Sequence, residues 1–291
     1  MPSNRAPIRN VHFYNASTGE VLGGVYQQGS LTQATIIWIL KNVLLIVEHD
    51  WHMKNRESGS TIEPTSSPLT AGDYDIYCSG DIKLTNEPWY ARINSFSASG
   101  REDSFRDGIR LRDRSCVISG DKNYVYDYGW FYGFQAAHIF PLASESLWVQ
   151  FNYQRWITNI PDTDTSSRIN SVQNGFLIRQ DLHTLFDQYL LSVNPDDGYK
   201  IITFFPNPFR VDGRILEYSC RNPDDPNHVS DELLRWHFRQ SVLANMREAG
   251  EPLFETDFPP GTDQMATMRT EPYGKERLEM ELAVRLPKPE S

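Results

Sequence analysis

A chain of 291 residues, 39% hydrophobic and carrying 7 Trp, 14 Tyr and 15 Phe, can bury sizeable cores, so its composition excludes disorder and its length favours two domains. Its 28 basic and 38 acidic residues give a formal charge of −10, which excludes a general electrostatic attraction to nucleic acid and leaves any such contact to a local patch or a metal ion. The three cysteines, Cys78, Cys116 and Cys220, contain no Cys-x-x-Cys pair and point to neither a disulfide framework nor a four-cysteine zinc site.

The N-terminal MPSNRAPIRN is polar and shows no secretory signal. The most apolar run, Ile36 to Val47, is broken by Lys41 and Asn42 and is about half of a membrane span. The expectation is an intracellular protein, nuclear or cytoplasmic, not secreted and with no membrane partner. Residues 8–28 read as a hairpin, with β-formers on either side of the Ser17-Thr18-Gly19 turn. Ser30 is the expected N-cap of a buried helix over LTQATIIWILKNVLLIV. A polar loop from Glu57 to Ser67 follows, then short strands in YDIYCSG and DIKLT. This order fits a small α+β roll resembling a β-grasp. A shift to small and charged residues over 95–108 marks a boundary. The expected division is 1–100 (N-terminal α+β domain), 101–206 (mixed module) and 207–291 (C-terminal extension), with a helix over 230–249 packing on the module. That helix has Ser230 as cap, an apolar face through Leu233, Leu234, His237, Phe238, Val242 and Met246, and a stop at Gly250. The tail segment ERLEMELAVRL alternates like a strand yet has helical composition.

Two histidines sit in informative contexts. GFQAAHIFPLAS is a strand-like apolar run carrying His138. In NSVQNGFLIRQDLHTLFDQYLLS, Asn174-Gly175 is a turn signal, FLI a short strand, and Asp181 the cap of a helix bearing His183 and Asp187. An i, i+4 pair projects from one helix face, so His183 and Asp187 can hold one ion together. Imidazole plus carboxylate suits Mg²⁺, Mn²⁺ or Zn²⁺ without selecting among them. Asn174 is a short amide able to fix neighbouring backbone or a side chain.

The order Cys116-Val117-Ile118-Ser119-Gly120, Ala137-His138-Ile139, Asn174-Gly175 and His183-x-x-x-Asp187 resembles the HNH endonucleases, in the branch whose first motif is Ala-His-Ile. The wider chain is similar to a set of fungal proteins in which such a module lies between a small N-terminal domain and a Trp-His-Phe helix, here Trp236-His237-Phe238. The resemblance implies a ββα-metal module that hydrolyses phosphodiester bonds of DNA ahead of RNA, with one divalent metal ion, Mg²⁺ or Mn²⁺ before Zn²⁺. It implies that His138 is the general base, that Asn174 orients it, and that His183 and Asp187 are the metal ligands. Ala137 stands where many members carry a further metal ligand, and Cys116 has Ser119 rather than a cysteine partner. A nucleic-acid partner is thus expected, and a homodimer is left open.

Bland readings stand beside these. A histidine in an apolar strand is commonly a satisfied core residue, and Asn-Gly can be only a turn. His237 reads as a packing residue, and His49-x-x-His52 lacks a third ligand. The Arg101, Arg106, Arg110, Arg112 and Arg114 series is interleaved with Glu102, Asp103, Asp107 and Asp113 and reads as a solvated helix or linker. The alternative function is a catalytically silent scaffold for protein–protein contacts. The nuclease reading calls for His138, His183 and Asp187 to converge; the scaffold reading calls for a buried His138.

Overall fold

The computed structural model describes residues 5–90, 100–159, 167–206 and 208–247, so the stop signal at Gly250 and the tail segment lie outside the described residues. The architecture is mixed α+β. Strands β1 (Val11–Asn15) and β2 (Val21–Val25) form the expected hairpin, followed by α1 (Gln33–Ile39), β3 (Leu45–Ile46), β4 (Trp51–Asn55), β5 (Gly72–Cys78) and β6 (Lys83–Leu84). The main sheet runs β2-β1-β5-β4, with β1 parallel to β5 and the outer pairs antiparallel; β3 and β6 make a separate two-stranded ladder.

The first helix is shorter than the apolar run suggested. Thr32, not Ser30, caps it by accepting from the Thr35 amide at 3.1 Å, because the Ser30 hydroxyl is committed to Asp212 at 2.8 Å. A wider π-type turn over Leu40–Leu44 then releases Leu45 and Ile46 to pair with β6. Ile36, Ile39, Leu40, Val43 and Leu44 stay on one buried stripe through this change.

The second half comprises α2 (Gly100–Asp113), β7 (Phe134–His138), α3 (Glu145–Gln150), β8 (Gly175–Arg179), α4 (Gln180–Asp187), β9 (Leu191–Asn194), β10 (Lys200–Thr203), α5 (Tyr218–Arg221) and α6 (Asp231–Met246). Strands β7 and β8 pair antiparallel, as do β9 and β10. The arginine series lies on α2 except for Arg114, which follows it, but Arg112 is not solvated. It forms a buried pair with Asp113, donates to the carbonyls of Val172, Gly175 and Asn227, and so fastens the end of α2 to the start of β8. Asp113 in turn accepts the Leu177 amide at 2.7 Å.

Twelve of the sixteen α6 residues are buried, which makes it a core helix rather than a surface one. Leu233, Leu234 and Trp236 join the core built on Phe140, Phe176 and Phe186, while Phe238, Val242, Leu243 and Met246 join the core of the N-terminal sheet with Ile202 and Phe204. His237 is fully buried between them, stacked 3.6 Å from Phe186, with its ring nitrogens bonded to the Ser192 hydroxyl and the Phe186 carbonyl. Among the described residues no helix is long and apolar enough to cross a membrane.

Candidate functional site

The β7–β8 pair places Phe134 opposite Arg179 and His138 opposite Gly175, and α4 begins at once, with no loop between. Strand alternation decides what each face carries. Ala136 and Leu177 face α2, in a cluster with Phe105 and Ile109. Ala137, Phe176 and Ile178 face α4, in the core with Leu182 and Phe186.

His138 is the last residue of β7 and is half-buried on the α2 side. Its ring stacks on Phe105 with centroids 3.8 Å apart and planes 8° apart, and its Nε2 lies 2.9 Å from Asn170 Oδ1. Asn170 presents an acceptor, so this bond places the proton on Nε2 and the imidazole lone pair on Nδ1. Gly175, directly across, is not the turn glycine that Asn-Gly suggested. Its backbone is extended (φ −170°), and a Cβ there would meet Phe105 Cζ at 2.5 Å and the Ala137 carbonyl at 2.6 Å. Glycine is required for close approach, not for a turn.

Asn174 closes a short 3₁₀ turn (Val172–Asn174) and is fully buried. Its Oδ1 accepts the Phe140 amide at 2.8 Å, and its Nδ2 donates to the carbonyls of Phe140 and Ile169 at 3.1 and 2.8 Å. Its own carbonyl accepts the Ile139 amide at 2.8 Å. The amide therefore fixes the chain immediately after His138.

On the other face, His183 and Asp187 come together as the i, i+4 spacing implies, with Nε2 and Oδ2 3.2 Å apart. Two ligands about 2.1 Å from one ion and at right angles to it stand about 3 Å apart. The pair has that separation, and both side chains keep some solvent exposure, 23% and 19%. His183 Nδ1 meets Gln135 Oε1 at 2.7 Å. An acceptor on the far nitrogen is the arrangement that turns the other nitrogen of a histidine toward a metal. Among the described residues no group of three or more His, Cys, Asp or Glu side chains converges. The His138 ring and the His183–Asp187 pair thus lie on opposite faces of the hairpin: His183 and Asp187 come together as expected, but the convergence of His138 with them that the nuclease reading called for is not what β7 gives.

Asp181 was expected to cap α4. Arg179 occupies the cap position instead, because β8 runs straight into the helix; Asp181 sits in the first turn, bonded to the Leu182 amide and paired with Arg179. Arg179 also bonds Asp121 at 2.6 Å, and that hydrogen bond holds the Asp121 carboxyl below its ordinary range. Cys116 is buried, and its sulfur accepts the amides of Ser119 and Arg179 at 3.4 Å, which ties the Cys116–Gly120 turn to β8. Asn170 and Phe105 carried no recognisable sequence signal. Gln135 alone was findable, as the polar interruption of an apolar strand three residues before His138.

Residues 116–194 match the family model described as HNH endonuclease, which supports an HNH endonuclease assignment for this region. Residues 8–83 match a second model, described as Domain of unknown function (DUF8573). No curated protein and no solved structure matches the chain.

Proposed function

We propose that the chain is an endonuclease that hydrolyses phosphodiester bonds, DNA ahead of RNA, at a single-cation ββα-metal site on the β7–β8–α4 unit. The observation that carries this reading is the His183–Asp187 pair at ligand separation, its imidazole backed by Gln135, on the helix that follows the His138 hairpin. In this reading His183 Nε2 and Asp187 Oδ2 hold the cation, Mg²⁺ or Mn²⁺, and Gln135 orients the imidazole by accepting its Nδ1 proton. Two protein ligands suit an ion that keeps several waters and completes its shell with substrate phosphate. Such a cation, when bound, stabilises charge on the phosphoryl and leaving oxygens.

His138 takes the proton from the attacking water through the Nδ1 lone pair, while Asn170 accepts the Nε2 proton and sets that tautomer. Phe105 fixes the ring plane, and Asn174 fixes the backbone on which the ring stands. Both are positioning residues. Among the described residues β7 pairs with β8 alone, and in this reading a phosphodiester lies across its other edge, bordering both faces of the strand. The N-terminal unit, which we read as β-grasp-like from its β2-β1-β5-β4 order, is given no part in this chemistry.

The test is nicking of supercoiled plasmid with Mg²⁺, Mn²⁺ or excess EDTA. Wild type is expected to cut only with metal. His138→Ala is expected to lose at least about 100-fold while still binding Mn²⁺ in calorimetry, and Asp187→Ala to require more metal. A fully active His138→Ala removes the mechanism, and absence of cutting with every metal favours the scaffold alternative.

A further inference from the structure

The loop that leads into β7 carries aromatic rings the fold does not bury. Tyr124, Tyr128, Trp130 and Tyr132 are 88%, 74%, 54% and 79% exposed. A concentration of exposed rings within nine residues marks an interaction surface rather than scattered surface hydrophobes. We propose that this loop is a stacking platform for unpaired bases of a single-stranded nucleic acid, placed to feed the strand to the hairpin. The inference deepens the nuclease reading and rests on it for the identity of the partner.

The platform is built rather than loose. Asn123 donates to the Trp130 carbonyl at 2.7 Å, the Tyr128 amide to the Val125 carbonyl at 3.1 Å, and the Gly129 amide to the Tyr126 carbonyl at 2.8 Å, with Gly129 in the left-handed region at φ 71°. Tyr126 and Phe131 meet edge to face beneath the exposed rings. Arg114 and Arg110 lie against these two rings, at 5.3 and 4.2 Å, Arg110 also 3.8 Å from Asp107, so the loop has two cations at its base.

The exposed rings form a series. Tyr128 and Trp130 have centroids 5.9 Å apart, and Trp130 and Tyr132 6.0 Å. Their planes are inclined at 36° and 61°, so they frame no ready-made slot, and a base would stack on the outward face of an exposed ring. Bases in a duplex have both faces covered by neighbours, and only an unpaired base offers a face to stack. The loop is also continuous with the site: the Gly133 carbonyl accepts the Gln180 amide at the start of α4, and Phe131 packs on the cluster that contains Phe105, the ring under His138. With two cations and an acidic chain overall, stacking rather than charge has to supply the affinity.

The experiment is anisotropy of labelled dT12, rU12 and a 12-base-pair duplex with the full chain in EDTA, where no cleavage occurs. Trp130→Ala and Tyr128→Ala are each expected to weaken single-strand binding about tenfold, Trp130→Phe to restore most of it, and duplex binding to stay unchanged. The salt slope for wild type should be shallow, about −1.4 for two phosphate contacts. The exposed positions should leave the urea midpoint where it is. Single-strand affinity within twofold of wild type in a Tyr128→Ala/Trp130→Ala/Tyr132→Ala variant overturns the proposal, as does an equal loss for duplex, an undetectable wild-type affinity, or a loss of self-association in place of oligonucleotide binding. Aromatic-dependent binding without plasmid nicking supports the platform and sinks only the nuclease reading; nicking with aromatic-independent binding does the reverse.

Discussion

Removing the Asn174 amide tests whether the chain after His138 is held from below. In Asn174→Ala the buried Phe140 amide loses its acceptor at 2.8 Å, and the Phe140 and Ile169 carbonyls lose donors at 3.1 and 2.8 Å. An orphaned buried amide costs about 1–3 kcal/mol, and each carbonyl costs toward the lower end of that range, so the three together come to about 3–5 kcal/mol. That is a large share of a total stability of about 5–15 kcal/mol. With a urea m value of about 2–3 kcal/mol/M, the midpoint falls by about 1–2 M. Activity should fall further than stability explains, because a displacement of His138 by about 1 Å is enough to cost roughly 100-fold. Urea melts followed by Trp fluorescence give the first quantity. Plasmid nicking at a temperature where the variant is folded gives the second. A variant within about 1 kcal/mol of wild type and with full activity would refute the claim that this amide positions the hairpin.

Two further predictions use different parts of the structure. Gly175→Ala should destabilise by about 1–3 kcal/mol and reduce nicking, since its Cβ would meet the Ala137 carbonyl at 2.6 Å, which is backbone and cannot swing away, as well as Phe105 at 2.5 Å; a neutral urea melt would show that the strands part freely there. Tyr199 is pushed up to about 12, first by burial and then by its hydrogen bond to Asp231. Its folded-state value lies above the unfolded one of about 10, so the neutral form's contribution is complete below pH 10 and is lost as pH rises from about 10 to 12. Tyr199→Phe should flatten that part of the stability–pH curve measured by urea melts, and an unchanged curve would count against the assignment.

Local periodicity made the two helical partners legible. His183 and Asp187 are one turn apart in sequence, and a helix brings them together whatever surrounds it. The β1–β2 hairpin and α6 were legible for the same reason. What could not be read was set by distant residues. Asn-Gly is locally a turn, yet Gly175 is there because Phe105, seventy positions earlier, packs against it. Asn170 contacts His138 only because residues 167–174 run back beside the strand. Arg112 looked like one more solvated arginine until its carboxylate and carbonyl partners closed around it. The long apolar run at α1 changes to strand at Leu45 because β6 supplies a ladder, and nothing local signals that choice.

The burial of α6 bears on how the N-terminal unit is to be tested for a regulatory role. Deleting residues 1–90 looks like the direct experiment, but Phe238, Val242, Leu243 and Met246, with Ile202 of β10 and Phe204 just after it, are packed against the sheet that this deletion removes. Exposing six such side chains forfeits about 1.5–3 kcal/mol each, on the order of 10 kcal/mol in all, which is comparable with the whole stability of a domain. Arg5 and Arg9 add to the joint, donating to the Asn245 side chain and carbonyl on the same helix. The truncated chain is therefore expected to aggregate or to melt without cooperativity, and its activity would say nothing about autoinhibition. A monomeric, cooperatively melting 91–291 fragment in sedimentation and calorimetry would refute this. Until then, substitutions on the exposed surface of the sheet, such as at Tyr77, probe the N-terminal unit without opening the shared core.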